Sequence, residues 1–303
     1  MILVVGLSPA WQRALWFDSV RTGHVNRARR LVENTAGKGP NVARIARQLG
    51  ARSRLLTVAG GHHGKLIQRA LAADGVDARI IRVAAETRIC QTLISPEGFT
   101  ELVEEARPLS RGEVAKLLAV FDREIRRARM LVLMGTVPPG CGDDFLARLT
   151  RKGTRLGLPV LIDTQTKQLV NAVREKPFLV RLTSHELAEA TGLSCGSSGA
   201  VLTAGRALCR MGARWVVVSS GPGRVVAVSD SEMWSAMPPK IKAVNPIGSG
   251  DAMMTGIAVS LLRGKPMIEA LRFGVACGTA NALTAAAGMI RRSDVQNLLR
   301  RIQ

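Results

Sequence analysis

The stretch "AVLTAGRALCRMGARWVVVSSG" (200–221) contains one complete helix-to-strand unit of this chain. Its first part has apolar residues at helical spacing and ends at Gly212, a typical C-terminal stop for a helix. Its second part, 214–221, is a nearly continuous apolar run, which is typical of a strand buried on both faces. The stretch therefore predicts a helix that leads into a buried parallel strand.

The same alternation extends outward in both directions over more than 200 residues. Strands and helices that take turns in this way predict a parallel β-sheet wrapped by helices, which is an α/β fold. Further strands are expected at 2–7, 54–60, 130–135, 159–163 and 177–182. Further helices are expected at 40–50, 111–128 and 142–153.

Two segments, about 11–35 and about 86–106, break this alternation because they read as strands joined by turns. They are expected to pair into a small sheet that stands off the main sheet. Such a sheet is a candidate lid, since a phosphoryl-transfer site needs closure and exclusion of water. The alternative is an immobile extension of the main sheet. Either way, residues 1–303 are expected to form a single domain with this small sheet inserted in it.

The chain is strongly basic, with 43 Lys and Arg against 23 Asp and Glu and a formal net charge of +20. The arginines are spread along the whole sequence and are not interleaved with aromatic residues. A solvated basic surface that attracts anionic small molecules is therefore expected, with weak nucleic-acid binding at low salt and no specific nucleic-acid partner.

Composition also limits the function classes. No apolar run approaches the roughly 18–20 residues of a membrane span. The five cysteines are scattered without a C-x-x-C pair, and the four histidines lack metal-ligand spacing. These features predict a cytoplasmic protein with reduced cysteines. The chain contains no tyrosine, which argues against chemistry that requires a phenol.

The stretch "NPIGSGDAMMTG" (245–256) is the first chemical motif. The preceding run "KIKAV" (240–244) predicts a strand, and a helix is expected from 251 to 263. Gly248, Ser249 and Gly250 then form a turn that leads into a helix N-terminus. Unpaired amides and the helix dipole make such a turn an anion hole.

Asp251 follows this turn directly and is expected at the first turn of the helix. The helix dipole is expected to favour its ionised form. A carboxylate next to an anion hole suits phosphoryl transfer to an alcohol, because it can take the hydroxyl proton while the amides hold the phosphoryl group. The alternative is an ordinary capping aspartate.

A second glycine turn enters a helix in "NTAGKGPNVARIARQLG" (34–50), with Lys38 in the turn and Asn41 near the helix start. This turn can bind another anion or a sugar, although a glycine-rich loop with a surface lysine looks the same in sequence. Neither G-x-x-x-x-G-K-[ST] nor G-x-G-x-x-G after the first strand is present, so the other common nucleotide motifs are excluded.

Six ordered blocks give the chain a family resemblance. They are 6–51, "ETRICQTLI" (86–94), "TELVEEARPLS" (100–110), "LMGTVPPG" (133–140), "KPFLVRLTSHELAEATG" (176–192) and 245–256. In this order they resemble the ribokinase-type (PfkB) carbohydrate kinases, in the branch of 1-phosphofructokinase, tagatose-6-phosphate kinase and the minor 6-phosphofructokinase. The resemblance implies a ribokinase-like three-layer α/β/α domain with a mostly parallel sheet and a small β-sheet lid.

The resemblance also implies roles for individual residues. Asp251 is implied as the catalytic base, and Gly248, Ser249 and Gly250 join it in the anion hole. The other implied residues fall into three groups. They are the substrate residues Gln12, Gly37, Lys38, Gly39, Asn41, Arg88 and Thr136, the ATP residues Arg181, Thr183, Ser219, Gly221 and Gly223, and the magnesium residue Glu186.

Several positions depart from the family pattern. Gln12 stands where the family has an aspartate that accepts hydrogen bonds from sugar hydroxyls, although an amide can also bond a hydroxyl. The family's K-P-N-x-x-E is R-L-T-S-H-E at 181–186, so Thr183 replaces an asparagine near magnesium. Ala36 replaces a glycine, and Val103 and Glu104 replace Asn-Gly. All of these changes except Ala36 alter polar groups expected near substrate or metal, so they bear on substrate choice and metal binding.

The leading hypothesis is an ATP- and Mg²⁺-dependent kinase of a ketohexose phosphate, either fructose 1-phosphate, fructose 6-phosphate or tagatose 6-phosphate. One alternative is a ribokinase-fold kinase of another sugar or of a nucleoside. Another is an inactive homologue that binds a sugar phosphate or nucleotide. The sequence also leaves open whether two copies of the chain form a homodimer through the lid.

Overall fold

The structure is a computed structural model that describes the backbone of residues 1–303 and the side chains of 1–165 and 167–303. The strands are β1 Ile2–Val5, β2 Ala10–Trp16, β3 Arg30–Ala36, β4 Ser53–Ala59, β5 Ala78–Arg82, β6 Ile89–Ser95, β7 Gly98–Val103, β8 Met130–Met134, β9 Val160–Asp163, β10 Leu179–Thr183, β11 Trp215–Ser219, β12 Val225–Val228 and β13 Met233–Ala236.

The helices alternate with these strands through most of the chain. They are α1 Lys38–Gln48, α2 Gly61–Ala73, α3 Arg111–Glu124, α4 Phe145–Arg155, α5 Thr166–Val173, α6 Ser184–Thr191, α7 Ser198–Arg210, α8 Ser249–Leu262, α9 Met267–Ala282 and α10 Arg292–Leu299. A short 3₁₀ turn, Ile125–Arg127, extends α3.

The main sheet has nine strands in the order β13-β12-β11-β10-β9-β8-β1-β4-β5. From β11 to β5 every neighbouring pair is parallel, and β12 and β13 add an antiparallel edge. The chain leaves β1 toward β4 and returns to β8 on the other side of β1. The carboxyl ends around this reversal are the usual ligand site of an open α/β sheet.

Two apolar cores cover the two faces of the sheet. One contains buried side chains of α1, α2, α8, α9 and α10, and the other those of α3 to α7. Strands buried on both sides explain the nearly continuous apolar runs, since Leu131, Val132 and Leu133 are all fully buried. The predicted three-layer α/β/α arrangement is confirmed.

A second sheet of four strands, in the order β3-β2-β6-β7, stands beside the first. Its strands come from the two segments that the sequence singled out. β2 pairs antiparallel with β3 and parallel with β6, which joins the two segments although they are far apart in the chain. This four-stranded sheet is called the lid sheet below.

One predicted strand is wrong. Residues 240–244 form no strand, and Val244 instead donates its backbone amide to Ala282 at the end of α9. Prolines flank the segment at 238, 239 and 246, and a proline cannot donate to a ladder of strand hydrogen bonds. The predicted helix stop Gly212 is confirmed, because its backbone has the positive φ of 142° that favours glycine. No described helix has the length and apolar character needed to cross a membrane.

Candidate active site

The candidate site lies at the carboxyl edge of the main sheet, where the N-termini of α1 and α8 meet the ends of β9, β10 and β11. Asp163, Thr183 and Ser219 are the last residues of these three strands. Parallel strands all end at one edge, so side chains far apart in sequence come together there. Asn41 and Asp251, 210 positions apart, are directly hydrogen bonded.

The N-terminus of α8 is shaped as the sequence predicts. Gly248 precedes the helix with a φ of 83°, a left-handed conformation that favours glycine. A Cβ there would lie 3.0 Å from the backbone nitrogen of Gly288, so the turn has little room for a side chain. None of the described side chains caps this helix. The Ser249 amide donates to the Pro246 carbonyl at 3.2 Å, so the amides of Gly250 and Asp251 are the ones left for an anion.

Asp251 is buried in the first turn of α8, with 6% of its surface exposed. The Nδ2 of Asn41 donates to its Oδ2 at 2.8 Å. Burial raises the pKa of Asp251 to about 6, against the opposing effect of the Lys38 charge. The expectation that the helix dipole would favour the ionised form gave the wrong direction, because desolvation is the larger effect. The carboxylate still exists mainly ionised at neutral pH.

Asp163 is a central residue of the site that the sequence did not single out. It is buried, and its two oxygens accept from different cations, Lys38 Nζ at 2.5 Å and Arg181 Nη1 at 3.0 Å. A signal was present, since "PVLID" (159–163) ends in a carboxylate at the carboxyl end of a predicted parallel strand.

These buried charges shift one another's pKa values. Burial alone would raise the pKa of Asp163, but the charges of Lys38 and Arg181 hold it below its usual value. Burial also opposes the charged form of Lys38, yet Asp163 and Asp251 keep its pKa raised. The site therefore holds two cations and one anion that stay ionised, next to the higher-pKa Asp251.

Arg181 connects this cluster to the anion hole. Its Nη2 donates to Ser219 Oγ at 2.7 Å. Its guanidinium lies so close to Gly250 that a Cβ there would meet Nη1 at 2.5 Å. Its buried Nε has no hydrogen-bond partner among the described groups. A donor of this kind, next to uncapped helix amides, is suited to bind an anion.

Comparison of the sequence with known proteins identifies the family of this chain. The sequence profile of the pfkB family carbohydrate kinases matches residues 1–290. The chain belongs to this family. It is 30% identical over 300 residues to the 1-phosphofructokinase of Haloferax volcanii, covering 99% of this chain and 95% of the relative. It is 27% identical over 299 residues to the 1-phosphofructokinase of Bacillus subtilis, covering 99% and 97%.

Solved structures show the same fold for this pfkB kinase. The phosphofructokinase-2 of Escherichia coli, in complex with substrates and products, superposes with a TM-score of 0.91 at 24% identity over 99% of this chain and 98% of the other. Ribokinase of Arabidopsis thaliana, complexed with ribose and ATP, gives 0.78 at 20% identity over 99% and 98%. The predicted family, the ribokinase-like fold and the carbohydrate-kinase class are confirmed.

The predicted substrate residues lie on the lid side of the site. Gln12 on β2 is buried and donates from Nε2 to Thr92 Oγ1 at 2.6 Å. This bond leaves the side-chain oxygen of Gln12 as the group that can accept from a hydroxyl. Thr136 follows β8 and donates to the hydroxyl of Ser8 at 3.2 Å, while Ser8 donates to the Thr136 carbonyl at 2.9 Å.

Arg88 stands just before β6 of the lid sheet. Its Nη1 donates to the carbonyl of Glu104 and its Nη2 to the carbonyl of Ser8, each at 2.9 Å. Its Nε is buried and has no partner among the described groups. Arg88 is thus tied to both the lid sheet and the loop after β1, and its Nε–H is among the donors left over.

Gly37 and Gly39, at the start of α1, are required for different structural reasons. Gly37 precedes α1 with a φ of 103°, and Lys38 is the first residue of that helix. Gly39 packs on Gly6, where a Cβ on Gly39 would lie 2.7 Å from the Gly6 Cα. Gly39 is therefore required for the close approach of α1 and β1, whatever its relation to substrate.

The predicted nucleotide residues lie at the other end of the site. Gly221 and Gly223 belong to the turn between β11 and β12, in which Gly223 donates its amide to the Ser220 carbonyl. Thr183 caps α6 in a capping box. Its hydroxyl accepts from the Glu186 amide at 3.2 Å, and Glu186 Oε2 accepts from the Thr183 amide at 2.7 Å.

Proposed function

We propose that this kinase transfers a phosphoryl group from ATP to a hydroxyl of a ketohexose phosphate, with Asp251 as the general base. The observation that carries the proposal is the placement of Asp251. It is a buried carboxylate with a pKa of about 6, held by Asn41 at the uncapped N-terminus of α8. A base with a pKa just below neutral can take a hydroxyl proton as the phosphoryl group arrives.

Of the amides predicted for the anion hole, that of Ser249 already donates to the Pro246 carbonyl, so we assign the hole to the amides of Gly248, Gly250 and Asp251. These amides and the helix dipole hold the charge on the transferring phosphoryl group. Lys38 and Arg181 add fixed positive charge, with the Arg181 guanidinium directly beside Gly250. Because Asp163 holds both cations in place, they need no reorganisation when the charge develops.

The site fits the nucleotide and the magnesium ion that the family implies. The free Nε of Arg181 supports phosphate binding, and the glycine turn after β11 adjoins Ser219, where we place the nucleotide. The described residues form no cluster of three metal-ligating side chains. Mg²⁺ with few protein ligands and several waters is usual for nucleotide-bound magnesium. Glu186 would hold it through water, and the ion would neutralise phosphate charge.

The proposed acceptor carries a phosphate of its own. Arg88, with its buried free Nε, is placed to bind that phosphate, and Lys38, Asn41, Gln12 and Thr136 would contact the sugar. The names of the curated relatives, 1-phosphofructokinase in both cases, support fructose 1-phosphate as the first substrate to test. Fructose 6-phosphate and tagatose 6-phosphate are the next.

The test is ADP release with each of these three sugar phosphates and with the plain sugars. We expect turnover with at least one sugar phosphate and little with the plain sugars. Arg88→Ala should raise KM for the sugar phosphate by roughly 10-fold or more, since a charge-assisted pair is lost. Tight sugar-phosphate binding without ADP release would instead identify an inactive binding protein.

We also propose that the lid sheet is the contact surface of a homodimer. Leu31, Phe99, Leu102 and Val103 of this sheet are 44–51% exposed, and three of them lie on the edge strand β7. Because side chains alternate between the faces of a strand, Phe99 and Val103 share one face and Leu102 lies on the other. A relative with a solved structure, phosphofructokinase-2 from Escherichia coli, has a tetrameric inhibited form. Light scattering of the wild type and of Phe99→Glu tests the contact, and a monomeric wild type would exclude it.

A further inference from the structure

Neither the proposed reaction nor the family explains where the charge of +20 lies. Part of it lies at the amino edge of the main sheet, opposite the candidate active site. Each parallel strand begins at this edge, and each helix that precedes such a strand ends there. Six exposed arginines of this edge are called the basic edge below: Arg52, Arg126, Arg127, Arg129, Arg155 and Arg214.

The sheet order fixes how these arginines are spaced. Arg52, Arg129 and Arg214 immediately precede β4, β8 and β11. The Arg52 carbonyl accepts from the amide of Ile2, and the Arg129 amide donates to the Met1 carbonyl, so the two arginines flank the start of β1. Five strand spacings separate β4 from β11, which makes the basic edge roughly 24 Å long.

The acidic residues near this edge are already paired with other bases. Asp77 bonds Arg54, Glu124 bonds Arg54 and Arg79, and Glu175 bonds Arg151. By contrast, no arginine of the basic edge forms an ion pair with any carboxylate that the structure describes. Except at Arg155, whose charge also acts on the Glu175 carboxylate, the positive charge of this edge has no partner among the carboxylates that the structure describes.

Helix dipoles explain the positions of some arginines of the basic edge. Basic residues in a last turn are favourable, and Arg155 in α4 and Arg126 and Arg127 after α3 are of this kind. The dipole does not explain Arg52 and Arg129, which lie beyond the helix ends on either side of β1. Arg52 and Arg129 lie two strand spacings apart, roughly 10 Å. Like charges at that distance repel each other, and an external anion would relieve that repulsion.

We infer that the basic edge binds the phosphodiester backbone of a nucleic acid without reading its sequence. A length of roughly 24 Å spans about seven base-pair steps along the axis of a duplex, at ~3.4 Å per step. Guanidinium groups bind phosphate oxygens with two parallel hydrogen bonds, which favours arginine over lysine at such sites. The edge lies opposite the active site, so both can be occupied together.

A membrane surface fits the edge less well. Membrane-surface binding combines cations with a substantial apolar face. Beside the basic edge the exposed apolar residue nearest in sequence is Leu156, a single side chain. The grouped exposed apolar residues Leu31, Phe99 and Leu102 belong to the lid sheet instead.

The test compares two triple variants with the wild type. Arg52→Gln, Arg126→Gln and Arg129→Gln remove three charges from the edge. Arg69→Gln, Arg148→Gln and Arg206→Gln remove three exposed charges from the middles of α2, α4 and α7, as a matched control. Binding of a fluorescent single-stranded RNA and of a DNA duplex of the same length is measured by anisotropy across a salt series. Thermal melts establish that both variants are folded.

We expect wild-type affinity for both probes to fall linearly with the logarithm of salt concentration. The edge variant should lose about 10-fold in RNA affinity at low salt, and its salt slope should decrease by about 2, at ~0.7 per phosphate contact. The control should change much less. Equal weakening in the two variants would overturn the inference, because net charge alone would then explain binding. Binding to phosphatidylserine vesicles but not to nucleic acid would overturn it as well.

Discussion

The burial of Asp251 has opposite effects on the proposed catalysis and on stability. Its burial makes it a usable base, and the same burial makes its charge costly to the fold. Its folded-state pKa of about 6 lies above the usual 3.8. The folded protein therefore binds this proton more tightly than the unfolded chain, so stability falls as pH rises between roughly 4 and 6. Above pH 6 the whole cost is present.

Replacement of Asp251 by asparagine should therefore stabilise the protein while it removes activity. The amide keeps an acceptor for Asn41 but carries no charge to desolvate. We expect a gain on the order of 2–3 kcal/mol at pH 7 and a loss of turnover by roughly 100-fold or more. Thermal melts at pH 5 and pH 7, together with ADP release, measure both effects. A variant with near-normal turnover would exclude Asp251 as the base.

Asp163 offers a test of charge coupling within the site. Its negative charge raises the pKa of Asp251, after burial and against the effect of Lys38. In Asp163→Asn the acid limb of the kcat/KM profile should therefore move to lower pH. We also expect kcat to fall by roughly 10- to 100-fold, because Lys38 and Arg181 lose their charged anchor.

The control for this variant is Asp122→Asn, which removes a carboxylate paired with Lys152 on the surface. It should leave the acid limb in place. An acid limb that stays unchanged in Asp163→Asn would show that Asp163 acts only through the fold. A role through structure alone lowers activity without moving the pH profile.

At the scale of single elements, α6 connects stability to magnesium binding. Its capping box joins Thr183 to Glu186, and α3 has an equivalent box that joins Ser110 to Glu113, which stands outside the candidate site. Removing either capping hydroxyl should cost about 1 kcal/mol of stability. Only at α6 does the box also hold the proposed magnesium residue.

Thr183→Ala should therefore raise the Mg²⁺ concentration for half-maximal activity several-fold, and Ser110→Ala should not. The reason is that the Thr183 hydroxyl fixes the first turn from which Glu186 projects. A magnesium titration at saturating ATP, with thermal melts of both variants, separates the two effects. Equal magnesium dependence in the two variants would contradict a metal role for Glu186.

Elements were predictable from the sequence where local chemistry decides them. Buried strands gave apolar runs, and Gly212 and Gly248 have the positive φ values that their turns require. The run 240–244 misled because alternation alone does not show whether a neighbouring strand is available to pair with it. The helices α2, α5, α6, α9 and α10 were not predicted. Of these, α9 packs against α8, and α10 packs against α9.

The site was predictable in part for the same reason. Asp251, Asn41 and Lys38 were found because each follows a glycine turn that is visible in the sequence. Asp163 was not, because its importance comes from Lys38 and Arg181, which only the folded chain brings to it. The pKa of Asp251 also depends on how many groups surround it in three dimensions, so the helix dipole alone gave the wrong sign.

At the scale of the whole molecule, the candidate active site lies between the main sheet and the lid sheet, which differ in how deeply they are buried. The main sheet is buried between two helical layers, whereas strand β7 at the edge of the lid sheet is exposed along its whole length. Sparsely buried elements open at lower free-energy cost than core elements. We therefore propose that the lid sheet closes over the sugar phosphate, with Arg88 between the lid sheet and the loop after β1.

The four tryptophans allow this closure to be observed. Trp11 and Trp16 lie on β2 of the lid sheet, and Trp215 and Trp234 lie on β11 and β13 of the main sheet. In the double variant Trp215→Phe, Trp234→Phe, the tryptophan fluorescence comes only from the lid sheet. Its emission should change when sugar phosphate and a non-hydrolysable ATP analogue are added together, because closure excludes water from the lid's inner face. The reciprocal variant with phenylalanine at 11 and 16 should change little. Equal responses in both variants would mean that the lid does not move separately from the main sheet.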